Sequence, residues 1–455
     1  MNENNNEFAK QFLASDRKHI LMITNHGIHE WQVIPGLKDT GGQNVFVNHF
    51  TDALAKIGYK ITITNRGGFQ HPRREEIQEG VHYKNEHERI LYLEDGTEEF
   101  VRKEDMGEQI PKLVDFLWDF LEKEQSDVDL IVSHYWDGAM VGKVYNDRRE
   151  KKLKHVWVPH SLGALKKKNV DPSKWEGLRI DERIEYEQEL VKVLDGIAST
   201  SSSIRSTLRN DYGYESNLFL PPCVDADRFK PREIPPEHEI WGFLAEKSGL
   251  SVEEIQQTKI VTEISRTDTT KRKNVVIQAF AKSLKEEPNA FLVVAIDRAQ
   301  EKLADELLAM IEELGIKDRV APVGSVWDIL PYIYAATDVY LTPSVMEGFG
   351  MSPQEAAAAK SPTVASNLVP FVVEYLLGKE VKELDYGDDG KTYKLGEGAA
   401  VVMADDVDGF AAALSNLLTN DQLREQMAQK AYEITIPYFT WRPMTNRFLE
   451  TIGFK

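Results

Sequence analysis

The sequence predicts an α/β protein made of two successive doubly wound, Rossmann-like units, each with a largely parallel sheet covered by helices. Short apolar runs alternate with longer amphipathic stretches, which is typical of strands buried between helices. The alternation stops at the consecutive prolines Pro221 and Pro222 and then begins again. At 455 residues the chain is also too long for one ordinary core. We therefore expect domains over residues 1–220 and 221–435, followed by a final segment over 436–455.

The apolar runs are the candidate strands of both domains. In the first half they lie at residues 19–24, 60–65, 89–93, 130–134, 155–159 and 196–200. In the second half they lie at 260–264, 290–295, 320–323, 339–342, 362–365 and 399–402. The candidate helices between them include 44–57, 108–124, 274–286 and 300–314, and residues 237–254 resemble a polar helical insertion. Two such units imply a cleft between them, with ligands at the carboxyl ends of the strands.

Composition narrows the possible partners. With 55 basic and 74 acidic residues, the net charge of −19 disfavours binding to nucleic acid or to an anionic membrane. An anionic substrate must therefore be held by a local basic pocket. The single cysteine, Cys223, fits a reducing compartment, and the polar first 18 residues do not resemble a signal peptide. We expect a cytoplasmic protein that acts on small molecules, with its oligomeric state left open.

The most informative motif spans residues 347–355 and follows the apolar run 339–343. It places Glu347 on a glycine-rich turn and Glu355 inside the helix that is expected to follow. Glycine lets backbone N–H groups approach a ligand, and a helix N-terminus favours anionic oxygens. A ligand with both hydroxyls and phosphates, such as a nucleotide sugar, suits this arrangement. The alternative is an ordinary strand–turn–helix connection with two solvated glutamates.

Further candidates follow other predicted strands. Gly41, Gly42 and Gln43 open a helix after the first strand, although paired glycines alone are a weak signal. His160 ends a strand, where a histidine is either structural or directed at the cleft.

A basic cluster follows the first strand of the second half. Arg266 and the segment 271–273 together suit a diphosphate leaving group, or form a solvated basic turn. The sequence contains no H-E-x-x-H, phosphate-loop or G-x-S-x-G motif, which argues against metalloprotease, phosphate-loop NTPase and serine hydrolase functions.

The motifs resemble, in order along nearly the whole chain, those of family-4 retaining glycosyltransferases. Within that family the sucrose-phosphate and mannosylfructose-phosphate synthases are the most similar. The segments that carry the resemblance are 39–43, 134–137, 160–163, 221–222, 266 with 273–274, and 347–355. The resemblance implies a GT-B fold, in which two Rossmann-like domains face each other across a cleft and the donor lies mainly in the second. It also implies that the last helix, near residues 439–455, packs on the first domain.

The resemblance also implies roles for individual residues. The implied catalytic residues are His160, Glu347, Arg266 and Lys273. The implied donor-binding residues are Gly42, Arg266, Lys273, Glu347, Gly348, Phe349, Gly350, Met351 and Glu355, of which Glu355 holds the ribose and Arg266 and Lys273 hold the diphosphate. The implied acceptor-binding residues are Gly41, Gln43, Tyr135, Ser161 and Lys166. No metal or cofactor is implied beyond the co-substrate, UDP-glucose or GDP-mannose, because the leaving diphosphate itself helps to remove the acceptor proton.

Two departures from the family pattern bear on the substrate. The spacing between Arg266 and Lys273 is longer than in the family, so Lys271 is an alternative for the diphosphate lysine. In relatives that use phosphosugars, the helix at 181–188 supplies basic residues, whereas Glu185 and Gln188 stand at those places here. Carboxylates would repel a phosphate. The acceptor is therefore left open among a small sugar, a sugar phosphate and a glycerate-type compound.

The expected activity is the retaining transfer of glucose or mannose from a nucleoside diphosphate sugar to that acceptor. The alternative within the family is a mannosyltransferase of the mannosylfructose-phosphate or mannosylglucosylglycerate type. Alternatives from other classes are a nucleotide-sugar epimerase, a phosphorylase and a non-catalytic protein that binds nucleotide sugars.

Overall fold

A computed structural model describes residues 3–32, 42–71, 75–324, 326–387 and 389–454. Its contacts divide the chain into two compact units. Unit 1 comprises Met1–Pro221 with Trp441–Lys455, and unit 2 comprises Pro222–Thr440. The predicted turn at 39–41, including the candidate Gly41, lies outside the described residues.

Unit 1 is built on an eight-stranded sheet of order β3-β4-β2-β1-β5-β6-β7-β8. Its strands are β1 His19–Ile23, β2 Lys60–Arg66, β3 Val81–Asn85, β4 Glu88–Leu93, β5 Leu130–His134, β6 Lys154–Val158, β7 Gly196–Ser199 and β8 Leu218–Phe219. The helices are α1 Glu3–Ala14, α2 Gly42–Lys56, α3 Ile110–Glu124, α4 Tyr135–Arg148, α5 Gly163–Asn169, α6 Ile180–Val193 and α7 Ser202–Tyr212. Every strand pair is parallel except β3 with β4.

Unit 2 repeats this plan with an eight-stranded sheet of order β11-β10-β9-β12-β13-β16-β15-β14. Its strands are β9 Lys259–Glu263, β10 Ala290–Ala295, β11 Val320–Val323, β12 Val339–Thr342, β13 Thr363–Ser366, β14 Lys382–Tyr386, β15 Lys391–Leu395 and β16 Ala399–Val402. The helices are α8 Glu239–Lys247, α9 Val252–Ile255, α10 Lys273–Ser283, α11 Glu301–Glu313, α12 Leu330–Ala335, α13 Met351–Ala358, α14 Val407–Thr419 and α15 Asp421–Thr435. The pairs β14–β15 and β15–β16 are antiparallel, and the others are parallel.

The last helix, α16 (Trp441–Thr451), belongs to unit 1 and packs on α2. The ring of Trp441 lies 5.0 Å from that of Phe46, and Phe448 lies 5.4 Å from Phe50, edge to face in both cases. These aromatic contacts stabilise the packing of α16 on α2.

The predicted fold class is confirmed, and all twelve candidate strands are present within one or two residues. Four strands were not predicted: β3, β8, β14 and β15. β3 alternates between half-buried and exposed residues, and β14 and β15 are polar and mostly exposed, so these three lack the continuous apolar runs of buried parallel strands. The segment predicted as a polar helical insertion, 237–254, is helical and consists of two helices, α8 and α9.

The core of each sheet follows from its apolar strands. All five residues of β1 and all six of β10 are buried, as expected for strands covered by helices on both faces. Among the described ranges, no helix is long and apolar enough to cross a bilayer.

Candidate active site

The glycine-rich turn of unit 2 joins β12 to α13. Gly350 precedes α13 with φ of 110°, and a Cβ atom there would lie 2.9 Å from Cγ1 of Val369. Only glycine fits such a position. Phe349 is 4% exposed, and its carbonyl accepts a hydrogen bond of 2.7 Å from the Phe371 amide. The turn is therefore fixed, and it presents the unpaired N–H groups at the start of α13 to a ligand.

Glu347 and Lys271 meet beside this turn. The ammonium of Lys271 donates to Oε1 of Glu347, and the two side chains are 10% and 19% exposed. They are neighbours because β9 and β12 are adjacent parallel strands, whose carboxyl ends meet at one edge of the sheet. Arg266 stands at the same edge, is 82% exposed and approaches Asp268 at 3.7 Å. Arg266, Lys271 and Glu347 thus all lie in the loops at the carboxyl ends of β9 and β12, and Glu347 belongs to the turn that leads into α13.

Lys273, predicted to be catalytic and to bind diphosphate, points elsewhere. Its side chain is 1% exposed, its ammonium pairs with the fully buried Glu263, and it also donates to the Ser265 carbonyl at 3.1 Å. Burial lowers the pKa of Lys273, although Glu263 opposes the effect. This lysine is engaged inside unit 2. The geometry therefore favours Lys271, the alternative that the sequence left open.

Glu355 lies in the second turn of α13, one turn beyond the glycine-rich loop. Burial raises the pKa of its carboxyl to about 8, although the guanidinium of Arg228 opposes this effect. Arg228 is held in place by Trp327, whose ring lies 4.1 Å from the guanidinium and whose carbonyl accepts a hydrogen bond from it. Glu355 is thus a carboxyl group that favours its protonated form at neutral pH.

His160 of unit 1 follows β6 in a left-handed conformation with φ of 52°. Its Nε2 lies 2.8 Å from Nδ1 of His134, and the two rings stack at 5.1 Å. Burial lowers the pKa of His160 to about 3 and that of His134 well below its usual value. Nε2 of His134 faces the sulfur of Met22, a weak acceptor, so the arrangement that satisfies both rings has His160 Nε2–H donating to His134. His160 is then neutral and offers Nδ1 as an acceptor.

A second group of side chains gathers beside His160. The hydroxyl of Tyr135, at the start of α4, lies 3.3 Å from both Oγ of Ser161 and Nη1 of Arg183. Arg183, on α6, donates from Nη2 to the Ser161 carbonyl at 2.7 Å and to its Oγ at 3.1 Å. Its Nε donates to the buried Glu187 at 2.7 Å. Arg183 is thus anchored on one side and directed at Ser161 and Tyr135 on the other.

The electrostatics of this cluster are positive. Burial acts to raise the pKa of Tyr135, but Arg183, Lys103 and His26 outweigh it and lower that pKa to about 7. An adjoining pocket is lined by four basic side chains, Lys103, Lys166, Arg179 and Arg183, and by the acidic Glu104 and Glu182. A local basic pocket therefore exists in a chain whose net charge is −19.

The structure places the remaining predicted residues as follows. Gly42 and Gln43 are the first residues of α2, Gly348 is exposed in the turn before α13, and Met351 is the first residue of α13. Lys166 lies on α5, with its ammonium 3.5 Å from Glu104.

Arg183 and Lys103 were missed by the sequence analysis. Glu185 and Gln188, which stand where phosphosugar-using relatives are expected to have basic residues, are both exposed, whereas Arg183, in the same helix, contacts Ser161. Arg183 is buried against Glu187 and Ser161, and no sequence motif indicates these contacts.

Comparisons with known sequences match the chain to glycosyltransferases. Residues 40–228 match the family described as Glycosyltransferase Family 4, and residues 251–434 match Glycosyl transferases group 1. Mannosylfructose-phosphate synthase of Agrobacterium fabrum is 28% identical over 362 residues, which is 76% of each chain. D-inositol 3-phosphate glycosyltransferase of Corynebacterium glutamicum is 26% identical over 411 residues, which is 88% of each chain.

Solved structures agree with the fold. Sucrose-phosphate synthase from Thermosynechococcus elongatus superposes with a TM-score of 0.72 at 21% identity, covering 96% of this chain and 98% of the other. The Anabaena protein HepE in complex with UDP-glucose gives a TM-score of 0.62 at 15% identity, covering 96% and 99%. At these identities the similarity establishes the arrangement of the backbone.

Proposed function

Because the chain belongs to the family-4 glycosyltransferases and has the GT-B fold, we propose that it moves glucose or mannose from a nucleoside diphosphate sugar to a small phosphorylated acceptor, with retention of configuration. The observation that supports the donor half is the ion pair between Lys271 and Glu347, which lies in the turn that leads into α13. The acceptor half is supported by the basic cluster around Arg183.

On the donor side, Lys271 and Arg266 neutralise the diphosphate together with the amides of α13. Glu347 accepts hydrogen bonds from hydroxyls of the hexose, and Glu355 accepts those of the ribose. Since hydrogen bonds to a carboxylate favour its charged form, donor binding draws the proton off Glu355. UDP-glucose and GDP-mannose are the leading donor candidates, because the complexes of HepE include UDP-glucose and one sequence relative is named mannosylfructose-phosphate synthase.

On the acceptor side, a phosphate fits the groups that surround Ser161. Arg183 offers a planar fork, Lys103 adds a second charge, and the hydroxyls of Tyr135 and Ser161 add hydrogen bonds. The two sequence relatives are named for mannosylfructose phosphate and for inositol 3-phosphate, each of which carries a phosphate. A carboxylate of a glycerate-type acceptor is the second candidate, because the same fork would receive it.

In the proposed transfer reaction, the basic side chains of the donor site stabilise the leaving diphosphate. The bond between C1 of the hexose and the diphosphate oxygen breaks as the acceptor hydroxyl attacks C1 from the same face, and the departing diphosphate takes up the hydroxyl proton. Lys271 and Arg266 stabilise the negative charge that develops on the diphosphate. His160, neutral and held by His134, offers Nδ1 as a hydrogen-bond acceptor and supplies no proton.

Product analysis tests this proposal. The chain is incubated with UDP-glucose, GDP-mannose or ADP-glucose and with fructose 6-phosphate, inositol phosphate, glucosylglycerate or no acceptor, and products are identified by mass spectrometry. We expect a phosphorylated glycoside with one donor, formed about 100-fold more slowly by Lys271→Ala. Formation should be unchanged in Lys282→Ala, whose side chain is 51% exposed on α10. Donor epimerisation without an acceptor would indicate an epimerase, and donor binding without turnover of any acceptor would indicate a sensor; either result contradicts the proposal.

A further inference from the structure

His26 follows β1 in unit 1 and has no role in the function proposed above. Its Nδ1 lies 3.0 Å from Oδ1 and 3.1 Å from Oδ2 of Asp137, and its backbone N–H donates to the same carboxylate at 3.1 Å. Asp137 is fully buried in the first turn of α4. The imidazole is therefore held in one orientation by a carboxylate that has no contact with solvent.

The other side of the ring faces the acceptor cluster. The ring of His26 meets that of Tyr135 edge to face at 4.5 Å, and the side chain is 13% exposed. Within the described parts of the chain, Nε2 of His26 has no hydrogen-bond partner. The hydroxyl of the same tyrosine contacts Ser161 and Arg183. His26 thus borders the groups assigned to the phosphate and has a ring nitrogen to offer.

The charges around His26 decide its protonation. Burial acts to lower the pKa of His26 and Lys103 adds to this, but Asp137 outweighs both, with a smaller contribution from Tyr135, and the net pKa is raised. The nearby His160 is neutral, since burial and then His26 lower its pKa to about 3. The imidazolium form is therefore favoured by the pair with Asp137.

We propose that the His26–Asp137 pair is a further anion-binding element of the acceptor site, in which Nε2–H of His26 donates to the acceptor's phosphate beside Arg183. This inference rests on the proposed function and adds a specificity-determining residue to it. Arg183 keeps its charge over the working range of pH, whereas an imidazolium loses its proton within it. The affinity for the acceptor phosphate is therefore expected to fall as pH rises through the pKa of His26, while Asp137 acts as a positioning residue.

Sulfate provides a probe that does not depend on knowing the acceptor, because it remains a dianion across this range. Calorimetric titration of the full chain with sodium sulfate is expected to show binding about fivefold tighter near pH 6.5 than near pH 8.5. His26→Gln and Asp137→Asn should both weaken binding at the lower pH and flatten the profile. Tyr135→Phe removes the other group that titrates nearby. The sulfate affinity of this variant should still fall with rising pH, because His26 is still present. His82→Gln, at an exposed histidine on β3, serves as the matched control and should match the unmodified chain.

Acceptor kinetics give the second readout. His26→Gln should raise KM for a phosphorylated acceptor about fivefold near pH 6.5, with kcat and donor KM within about twofold of the unmodified values. Loss of kcat at unchanged acceptor KM would overturn the inference, and so would sulfate binding that is absent or indifferent to His26→Gln. If sulfate binding follows His26 but phosphorylated compounds receive no hexose, the proposed function fails and the anion site stands. If transfer occurs but neither readout responds to His26→Gln, the inference fails alone.

Discussion

The buried carboxyl of Glu355 is expected to destabilise the folded protein when it is ionised, and the same ionised carboxyl is expected to bind the donor. The substitution Glu355→Gln tests both effects in one variant. Burial raises the pKa of Glu355 from 4.5 to about 8. The unfolded chain loses this proton near pH 4.5 and the folded chain only near pH 8, so the stability is fully present below about pH 4.5 and falls progressively as pH rises to about 8. Glutamine has the same shape and no charge to bury, so the variant avoids the loss.

The magnitude follows from the two pKa values. Each pKa unit is worth about 1.4 kcal/mol. The rise from 4.5 to about 8 thus limits the stabilisation of the variant to about 5 kcal/mol above pH 8 and about 3 kcal/mol at pH 7. For a unit the size of unit 2, Pro222–Thr440, 1 kcal/mol shifts Tm by about 2 to 4 °C. We expect Tm of the variant to exceed that of the unmodified chain by up to about 10 to 20 °C near pH 8.5, and by about 3 °C or less near pH 5.

Thermal unfolding followed by fluorescence between about pH 5 and pH 9 measures this difference. Glu306→Gln, on the exposed face of α11, is the matched control and should leave Tm unchanged at every pH. The same Glu355→Gln chain should bind UDP at least about tenfold more weakly, since it has lost the carboxylate that accepts the ribose hydroxyls. A Tm difference that is independent of pH, or a variant that melts below the unmodified chain near pH 8.5, would refute the reasoning.

Three further predictions concern the donor half. Binding of UDP near pH 7 should release close to one proton from Glu355, measured as the dependence of calorimetric enthalpy on the ionisation enthalpy of the buffer; equal enthalpies in all buffers would contradict this. Lys271→Ala should lower kcat/KM by about 100-fold with little change in Tm. Lys273→Ala should lower Tm, because it removes the cation that pairs with the buried Glu263. The reverse pattern would favour Lys273 as the lysine that binds the diphosphate. Gly350→Ala should weaken donor binding by about tenfold or more through the contact with Val369, so unchanged affinity measured by UDP titration would show that the turn is not held as described.

Much of the fold was readable from the sequence because buried parallel strands are continuous apolar runs. The run 339–342 and the turn at Gly350 could be located in this way, and both stand where expected. β14 and β15 could not, since polar edge strands owe their structure to their neighbours and not to their own pattern.

The side chains of the site were harder to predict, because direction is decided by single backbone angles. Arg272 takes a left-handed conformation with φ of 53°, so the lysines on its two sides diverge. Lys271 reaches Glu347 and Lys273 turns into unit 2, although both lie in one basic run. Arg183 was missed for a related reason: its burial against Glu187 and Ser161 depends on which face of α6 packs inward.

The preference for a phosphorylated acceptor is the most direct test of the proposed function. Rates of hexose transfer are compared for fructose 6-phosphate against fructose and for inositol phosphate against inositol, in the unmodified chain and in Arg183→Gln. The account predicts that one phosphorylated compound is favoured by about 100-fold or more, and that this preference falls by about tenfold or more in Arg183→Gln. Equal rates for the two members of both pairs, or a preference that survives Arg183→Gln unchanged, would contradict it.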